Sequence, residues 1–233
     1  MTSANRGSCP QSFSPTVTNS KCISQDTIMS KSDIRKEIKE LINKNISTLA
    51  NQSRMICQMI IESEEYKSAS EIYAYMALPD EVDLTDVIKQ ALLDGKKVAL
   101  PKIISKNDGI MEFFYLDTLK TLAQQTSNGA YGILEPDEKL PAIPDSALKT
   151  LILVPGRAFT KDGDRLGRGK GYYDRFLEKG LGMGPFERLR DPGCEDKKRL
   201  PNITVAGVCF DFQVLPELPT DPNDVKMDII LQG

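Results

Sequence analysis

The sequence of 233 residues contains no histidine. This absence excludes catalytic triads built on histidine, histidine general bases and imidazole metal ligands. Any metal ion that the chain binds is therefore expected to be held by oxygen atoms.

Cysteine pairs and long apolar runs are also missing. The five cysteines are widely spaced and include no Cys-x-x-Cys pair, so neither a disulfide framework nor a zinc site is indicated. No apolar run approaches the length needed to cross a bilayer, and the N-terminus lacks the apolar core of a secretory signal. We therefore expect a cytoplasmic protein without membrane contact.

A general excess of positive charge is lacking, because the formal net charge is -3. This balance argues against a general nucleic-acid binder, which usually carries a basic excess. Residues 1–29 are rich in Ser, Thr, Asn and Pro, which predicts a flexible tail. An organelle address in this tail has little support, since its arginine is limited to Arg6. Residues 30–233 are predicted to form a single domain.

Strand-length apolar runs alternate with helical patterns along this domain. The alternation predicts an α/β fold with a mainly parallel central sheet flanked by helices, a Rossmann-like three-layer architecture. Residues 117–149 are interpreted as loop with a short helix at 118–124, and 180–202 as an exposed insertion. Helices are predicted from Ser30, over 51–65 and 84–93, and from Gly171; strands are predicted over 72–78, 97–100, 111–116, 151–154, 203–210 and 225–231.

The stretch 151–177 combines an apolar strand, a basic glycine-rich loop and an amphipathic helix. The loop, residues 167–171, reads Gly-Arg-Gly-Lys-Gly. Its glycines lack the Cβ atoms that would keep a phosphate away from backbone N–H groups, and Arg168 and Lys170 add positive charge. This pattern predicts a site for a polyanion.

Two common phosphate motifs do not fit this loop. A Walker A loop requires Ser or Thr after its lysine, but Lys170 is followed by Gly171. A Rossmann fingerprint requires glycine where this chain has Tyr172. The loop therefore needs another interpretation.

Carboxylates follow the predicted strand 72–78, at the end where open α/β sheets bind ligands. Asp83 or Thr85 is interpreted as the cap of the following helix. Glu81 is not needed as a cap and has no evident local partner, so we predict that it faces a ligand.

Residues 153–177 resemble the signature of the 5-formyltetrahydrofolate cyclo-ligase family, also called methenyltetrahydrofolate synthetase. The resemblance runs ungapped from Leu-Val-Pro-Gly at 153–156 to Tyr-Tyr-Asp-Arg at 172–175. It extends over 31–231, more weakly at 103–148 and 180–202. It implies ATP-driven conversion of 5-formyltetrahydrofolate to 5,10-methenyltetrahydrofolate, in which the formyl oxygen is phosphorylated, N10 closes the ring, and ADP and phosphate are released.

The resemblance also implies the residues of a site for two substrates. Arg168 and Lys170 are interpreted as catalytic. Mg2+ is assigned to Asp174 and Asp224, because carboxylate and phosphate oxygens suit this hard cation; a first-turn helix carboxylate and a turn residue are the alternatives. The implied folate contacts are Met76, Glu81 and Tyr172, with the tyrosine that faces the pterin left open between Tyr172 and Tyr173. The implied ATP contacts are Lys31, Arg35, Lys102, Arg165, Gly167, Arg168, Gly169, Lys170, Gly171, Tyr172 and Tyr173.

Two other functions stay open from the sequence alone. A non-catalytic phosphate- or RNA-binding module would use the same loop, but it would not explain Met76, Glu81 or the negative net charge. A different enzyme on a similar scaffold, such as a sugar-phosphate isomerase, would need no ATP. The preferred interpretation has a reduced folate and ATP as partners, no nucleic acid, and a monomeric state.

Overall fold

The computed structural model describes residues 29–137, 141–142, 148–178, 202–222 and 224–233. The predicted tail, apart from Met29, lies outside these residues, as does the predicted insertion apart from Asn202. The described strands are β1 (Glu71–Tyr73), β2 (Lys97–Ser105), β3 (Ile110–Tyr115), β4 (Thr126–Asn128), β5 (Leu134–Pro136), β6 (Pro141–Ala142), β7 (Thr150–Pro155), β8 (Ala158–Phe159), β9 (Arg165–Leu166), β10 (Ile203–Cys209) and β11 (Ile229–Gln232).

Seven of these strands form one sheet in the order β11-β10-β7-β1-β2-β3-β6. The strands from β11 to β2 are parallel to one another, and β3 and β6 extend the sheet in antiparallel fashion. The two remaining pairs, β4 with β5 and β8 with β9, are short antiparallel hairpins. The predicted mainly parallel sheet is confirmed.

Helices cover both faces of the sheet. They are α1 (Lys31–Asn45), α2 (Leu49–Glu62), α3 (Glu64–Ser68), α4 (Thr85–Leu93) and α5 (Tyr172–Glu178). The buried residues of α1, α2 and α4 pack in one apolar cluster, and Leu177 of α5 lies in a second cluster on the other face. The predicted three layers are therefore present. Among the described helices, none is long and apolar enough to cross a membrane.

Helix α1 begins where the sequence places it. The Ser30 Oγ accepts a hydrogen bond from the Asp33 backbone N–H at 3.2 Å, which satisfies a donor in the first turn. Ile34, Ile38 and Ile42 form its buried stripe. This cap and stripe fix the end of the helix that approaches the candidate site.

The ends of two central strands, β1 and β2, differ from the prediction. Strand β1 ends at Tyr73, because the chain leaves the sheet after the Ala74 N–H bonds to the Ala99 carbonyl at 3.0 Å. Strand β2 does not stop before Pro101 but continues to Ser105. The edge of β2 that faces β1 is unpaired beyond Ala99, so the missing N–H of Pro101 removes no ladder hydrogen bond.

The predicted helix at 118–124 is only a 3-10 turn at Leu122–Gln124. The buried Gln125 side chain explains the difference, because its amide donates to the carbonyls of Asp117 and Lys120 at 3.1 and 3.0 Å. Those carbonyls thereby gain side-chain partners in place of helical ones.

The helix predicted over 51–65 is split into α2 and α3 at Ser63. The extended backbone of Ser63 ends α2, and its Oγ accepts from the Tyr66 N–H at 3.2 Å at the start of α3. The final strand, predicted over 225–231, begins only at Ile229. Before it, the Met227 N–H bonds to the Gly163 carbonyl at 2.8 Å, outside the sheet.

Candidate active site

A cleft of about 430 Å³ lies beyond the carboxyl ends of the central strands. The segment after β1 forms one wall, and the second half of β2 with the β4–β5 hairpin forms another. The end of β7, the glycine-rich loop and the start of α5 close the third side. The glycine-rich loop and Glu81 therefore lie at the edge where open parallel sheets place ligands.

The glycine-rich loop, residues 167–171, is folded against α1. Gly169 and Gly171 have φ values of 92° and 65°, which side chains other than glycine rarely adopt. The Arg35 Nε donates to the Gly167 carbonyl at 2.9 Å. A Cβ atom on Gly169 would lie 3.5 Å from the Arg35 guanidinium carbon. The structure thus brings together α1 and the loop, which the family resemblance implies.

Lys31 lies one helical turn before Arg35 and bonds to the C-terminal segment. Its Nζ donates to Asp221 Oδ2 at 2.7 Å and to Asp224 Oδ2 at 2.6 Å. Burial alone would raise the pKa of Asp224, but the hydrogen bonds from Lys31 and the Asp221 amide lower it below its usual value. Asp224 is therefore an ionised carboxylate that already has one cationic partner.

Arg168 points from the loop to two acidic side chains. Its Nε donates to Glu81 Oε1 at 2.8 Å, and its terminal nitrogens contact both carboxylate oxygens of Asp80. Arg157 Nη1 lies 2.6 Å from Asp80 Oδ2. Burial raises the pKa of Asp80, but Arg168 and Arg157 outweigh this and hold the pKa below its usual value. We call these four side chains the Arg168 network.

Glu81 has partners that its sequence context does not reveal. The Leu78 N–H donates to Glu81 Oε2 at 3.0 Å, and only 9% of the Glu81 side chain is exposed. The expectation that Glu81 has no local partner is therefore wrong, because the turn at 78–81 folds the carboxylate back onto its own backbone. It nevertheless lines the cleft together with Met76.

Arg165 is buried beneath the loop. Only 4% of its side chain is exposed, and its guanidinium donates to Asp174 Oδ1 at 2.7 Å and to the Pro155 carbonyl at 3.1 Å. It also lies 5.7 Å from the centre of the Tyr173 ring. Asp174, like Asp224, thus has a cationic partner. Arg165 thus supports the glycine-rich loop from beneath.

The two predicted lysines of the cleft differ in their positions. Lys170 is exposed at the cleft, and among the described residues its ammonium group forms no ion pair or hydrogen bond. Lys102 does not line the cleft. Pro101 and Ile103 do, and since side chains alternate along β2, Lys102 lies on the opposite face of the strand.

Tyrosines bridge two walls of the cleft. Tyr172 and Tyr173 both line it, and the Tyr172 hydroxyl lies 3.3 Å from that of Tyr131 in the β4–β5 hairpin. Burial and this hydrogen bond raise the pKa of Tyr172 to about 12. The sequence gives no signal for Arg157 or for Glu135, a buried acid on the same wall as Tyr131.

The hydroxyl of Tyr75 is buried at the cleft without a hydrogen-bond partner among the described residues. Tyr75→Phe is expected to raise the free energy of unfolding by about 1 kcal/mol, because it removes an unsatisfied polar atom and keeps the ring. Urea denaturation measures the change.

The matched control is Tyr66→Phe. The buried Tyr66 donates its hydroxyl proton to Asp94 at 2.7 Å, so this variant is expected to be less stable than the native protein. Equal losses of stability in Tyr66→Phe and Tyr75→Phe would contradict the prediction.

The family model of the 5-formyltetrahydrofolate cyclo-ligase family matches residues 27–233. The chain belongs to this family. The resemblance found in residues 153–177 is thereby confirmed. Membership of a family of enzymes supports neither the non-catalytic binding module nor the sugar-phosphate isomerase.

Individual relatives match this chain over most of their own length. The probable 5-formyltetrahydrofolate cyclo-ligase of Schizosaccharomyces pombe is 31% identical over 206 residues, which cover 84% of this chain and 94% of that protein. The 5-formyltetrahydrofolate cyclo-ligase of Mus musculus is 28% identical over 204 residues, which cover 86% and 92%. The NMR structure of Aquifex aeolicus 5,10-methenyltetrahydrofolate synthetase has a TM-score of 0.64 at 28% identity and covers 88% of this chain and 90% of its own.

Proposed function

We propose that the protein converts 5-formyltetrahydrofolate to 5,10-methenyltetrahydrofolate and cleaves ATP to ADP and phosphate. The observation that carries the proposal is that one cleft combines a basic glycine-rich loop with the apolar Met76 and the acidic Glu81. A polyanion and a heterocycle with N–H donors therefore find complementary groups side by side. The cytoplasmic location, the single domain over 30–233 and the monomeric state stay predictions.

The proposed reaction needs activation of a poor electrophile. The oxygen of the formyl group attacks the γ-phosphorus of ATP, ADP leaves, and the formyl carbon, which now bears the phosphorylated oxygen, becomes reactive. N10 then attacks this carbon and loses its proton, and the C–O bond to phosphate breaks as the ring closes. The enzyme must align two anionic molecules and neutralise the charge that spreads over the transferred phosphoryl group.

The ATP half of the proposed site is the glycine-rich loop with its neighbours. The backbone N–H groups of residues 167–171 and the ammonium of Lys170 would bind the phosphates, and Arg168 would stabilise the transferred phosphoryl group. Lys31 and Arg35 would add charge from α1, since Arg35 already contacts the loop. Arg165 would act from beneath by fixing the loop and Asp174.

Lys102 remains in the proposed ATP site only as a peripheral charge. It lies on the face of β2 opposite the residues that line the cleft. A direct contact with the phosphates would need them to extend past the edge of the strand.

The folate half of the proposed site is the segment after β1 with the start of α5. Met76 would pack on the pterin ring, and Glu81 would accept hydrogen bonds from its N–H groups. Tyr172 or Tyr173 would offer an aromatic face, as both line the cleft.

An assay that varies both substrates tests the proposal. Release of phosphate from ATP should depend on 5-formyltetrahydrofolate and should match the methenyl product measured by its absorbance. Retention of RNA without turnover would support the binding module instead. Turnover of a sugar phosphate without ATP would support the isomerase.

We also propose that Asp174 and Asp224 hold Mg2+ together with phosphate oxygens of ATP. The donor chemistry fits, because both are carboxylates and this cation prefers oxygen ligands. Among the described residues, no group of three or more His, Cys, Asp or Glu side chains is placed to hold a metal, so the phosphates would complete the coordination. When bound, the ion would neutralise phosphate charge.

Metal removal gives a direct prediction. EDTA is expected to abolish turnover and added Mg2+ to restore it, and Asp174→Asn is expected to lower kcat/KM for ATP by at least about tenfold. Asp162→Asn is the matched control, because this exposed residue lies in the β8–β9 turn outside the cleft. Loss of activity in Asp174→Asn with turnover insensitive to EDTA would assign Asp174 to positioning Arg165 and would exclude the metal.

A further inference from the structure

The Arg168 network joins the two halves of the proposed site. Arg168 comes from the glycine-rich loop, Asp80 and Glu81 from the segment after β1, and Arg157 from the turn after β7. Glu81 and Arg157 are the shielded members, with 9% and 13% of their side chains exposed, whereas Asp80 is 26% and Arg168 33% exposed. Two positive and two negative charges balance within it.

Under the proposed function, Arg168 and Glu81 would each bind a substrate, although they are bonded to each other. Arg168 would bind phosphate, yet its Nε donates to Glu81 and its terminal nitrogens contact Asp80. Glu81 would bind the pterin, yet Oε1 accepts from Arg168 and Oε2 from the Leu78 N–H. In the protein described, each residue is therefore engaged by the group that would serve the other substrate.

The burial of Glu81 determines how much free energy it costs to separate Arg168 from Glu81. A triphosphate carries more negative charge than one carboxylate, so it attracts the Arg168 guanidinium away from Glu81. Glu81 would then be a shielded carboxylate without a cationic partner, a costly state that N–H donors of a ligand relieve. Asp80 does not share this cost, because Arg157 lies 2.6 Å from it and remains.

We infer that the Arg168–Glu81 pair couples the two substrates, so that each one binds more tightly when the other is present. The inference rests on the proposed function. Nucleotide binding withdraws Arg168 and frees Glu81 for the reduced folate, and folate binding releases Arg168 toward the phosphates. Asp80 and Arg157 are positioning residues, since they hold the ends of the network while Arg168 exchanges partners.

Thermodynamic linkage makes the coupling measurable from either side. The factor by which the nucleotide tightens folate binding equals the factor by which folate tightens nucleotide binding, and coupled sites commonly show factors of about 5 to 150. We expect about tenfold here.

Calorimetry on the full chain tests the coupling. The Kd of 5-formyltetrahydrofolate is measured without nucleotide and with a saturating non-hydrolysable ATP analogue and Mg2+. The native protein should show about tenfold tighter binding with the analogue, and in Arg168→Ala this ratio should fall to about one. Lys170→Ala is the matched control, because it removes a loop cation that does not contact Glu81. It should weaken the analogue and keep the ratio.

A second variant tests the coupling through a change in affinity that a purely structural role of Glu81 would not produce. Glu81→Gln should weaken the folate but tighten the analogue several-fold in the absence of folate, because the competitor for Arg168 has lost its charge. Asp83→Asn controls for the general loss of a negative charge, since Asp83 bonds to Thr85 and not to Arg168. It should leave the analogue Kd unchanged.

The outcomes separate this inference from the proposed function. A protein that binds neither ligand overturns both. A protein that binds both ligands and turns them over, but shows a ratio of one, overturns the coupling alone. A ratio retained in Arg168→Ala, or an analogue Kd in Glu81→Gln that is unchanged or weaker, overturns it as well.

Discussion

Lys170→Ala is expected to lower kcat/KM for ATP by about two to three orders of magnitude, the usual cost of removing one group that stabilises transition-state charge. Among the described residues the Lys170 ammonium has no partner, so its removal breaks no internal contact and leaves the fold intact. Steady-state kinetics with ATP varied at saturating 5-formyltetrahydrofolate measure the loss. Thermal unfolding of the same variant should be unchanged.

Lys161→Ala is the control for this prediction. Lys161 is exposed in the turn between β8 and β9, nine residues before Lys170, and it does not line the cleft. Its removal should change kcat/KM by less than about twofold, because surface charges outside a site contribute little. Near-native turnover in Lys170→Ala would remove the lysine from the proposed ATP site.

Much of this cleft follows from patterns that are local in the sequence. The glycine-rich loop is a contiguous motif, and its position after strand β7 places it at the ligand-binding edge of a parallel sheet. The meeting of α1 with the loop is implied by the family resemblance and is seen in the bond between Arg35 and Gly167. A contiguous motif, and the edge of the sheet at which it lies, can therefore be predicted from the sequence alone.

Errors in strand boundaries affect the predicted site. With a strand ending at Leu100, Lys102 is a charge beyond a strand end, where ligands bind. The strand continues to Ser105, and Lys102 instead lies within β2, on the face opposite Pro101 and Ile103. The boundary could not be predicted, because a proline is tolerated at that position only where the neighbouring strand has already ended.

Side-chain partners separated by long stretches of chain are the least predictable. Arg168 and Glu81 are 87 residues apart, and no motif in the sequence marks Arg157 as a partner of either acid. Their proximity depends on the turn at 78–81 and on the β8–β9 hairpin, both of which are set by tertiary packing. The sequence identifies Glu81 as an acid at the correct edge, but not the arginine that holds it.

Gly163→Ala is expected to destabilise the protein by about 3 kcal/mol or more. Gly163 has a φ of 89°, and a Cβ atom there would lie 2.2 Å from the Met227 carbonyl oxygen. A strained φ alone costs about 1 to 3 kcal/mol, and this clash is with backbone that cannot rotate away. Urea denaturation measures the free energy of unfolding.

Gly95→Ala isolates the contribution of the clash. Gly95 also has a positive φ, 70°, but a Cβ atom there would meet nothing within 4 Å. This variant should therefore lose only about 1 to 2 kcal/mol, the cost of the left-handed backbone itself. Equal losses in the two variants would contradict the argument from the Met227 carbonyl.

The same contact links stability to the proposed metal site. The Met227 N–H donates to the Gly163 carbonyl at 2.8 Å, three residues after Asp224, so displacement of this segment also moves Asp224 away from Lys31. In a temperature range where Gly163→Ala remains folded, we expect its KM for ATP to rise, while Gly95→Ala keeps the native value. A native KM in folded Gly163→Ala would show that the position of Asp224 does not depend on this turn.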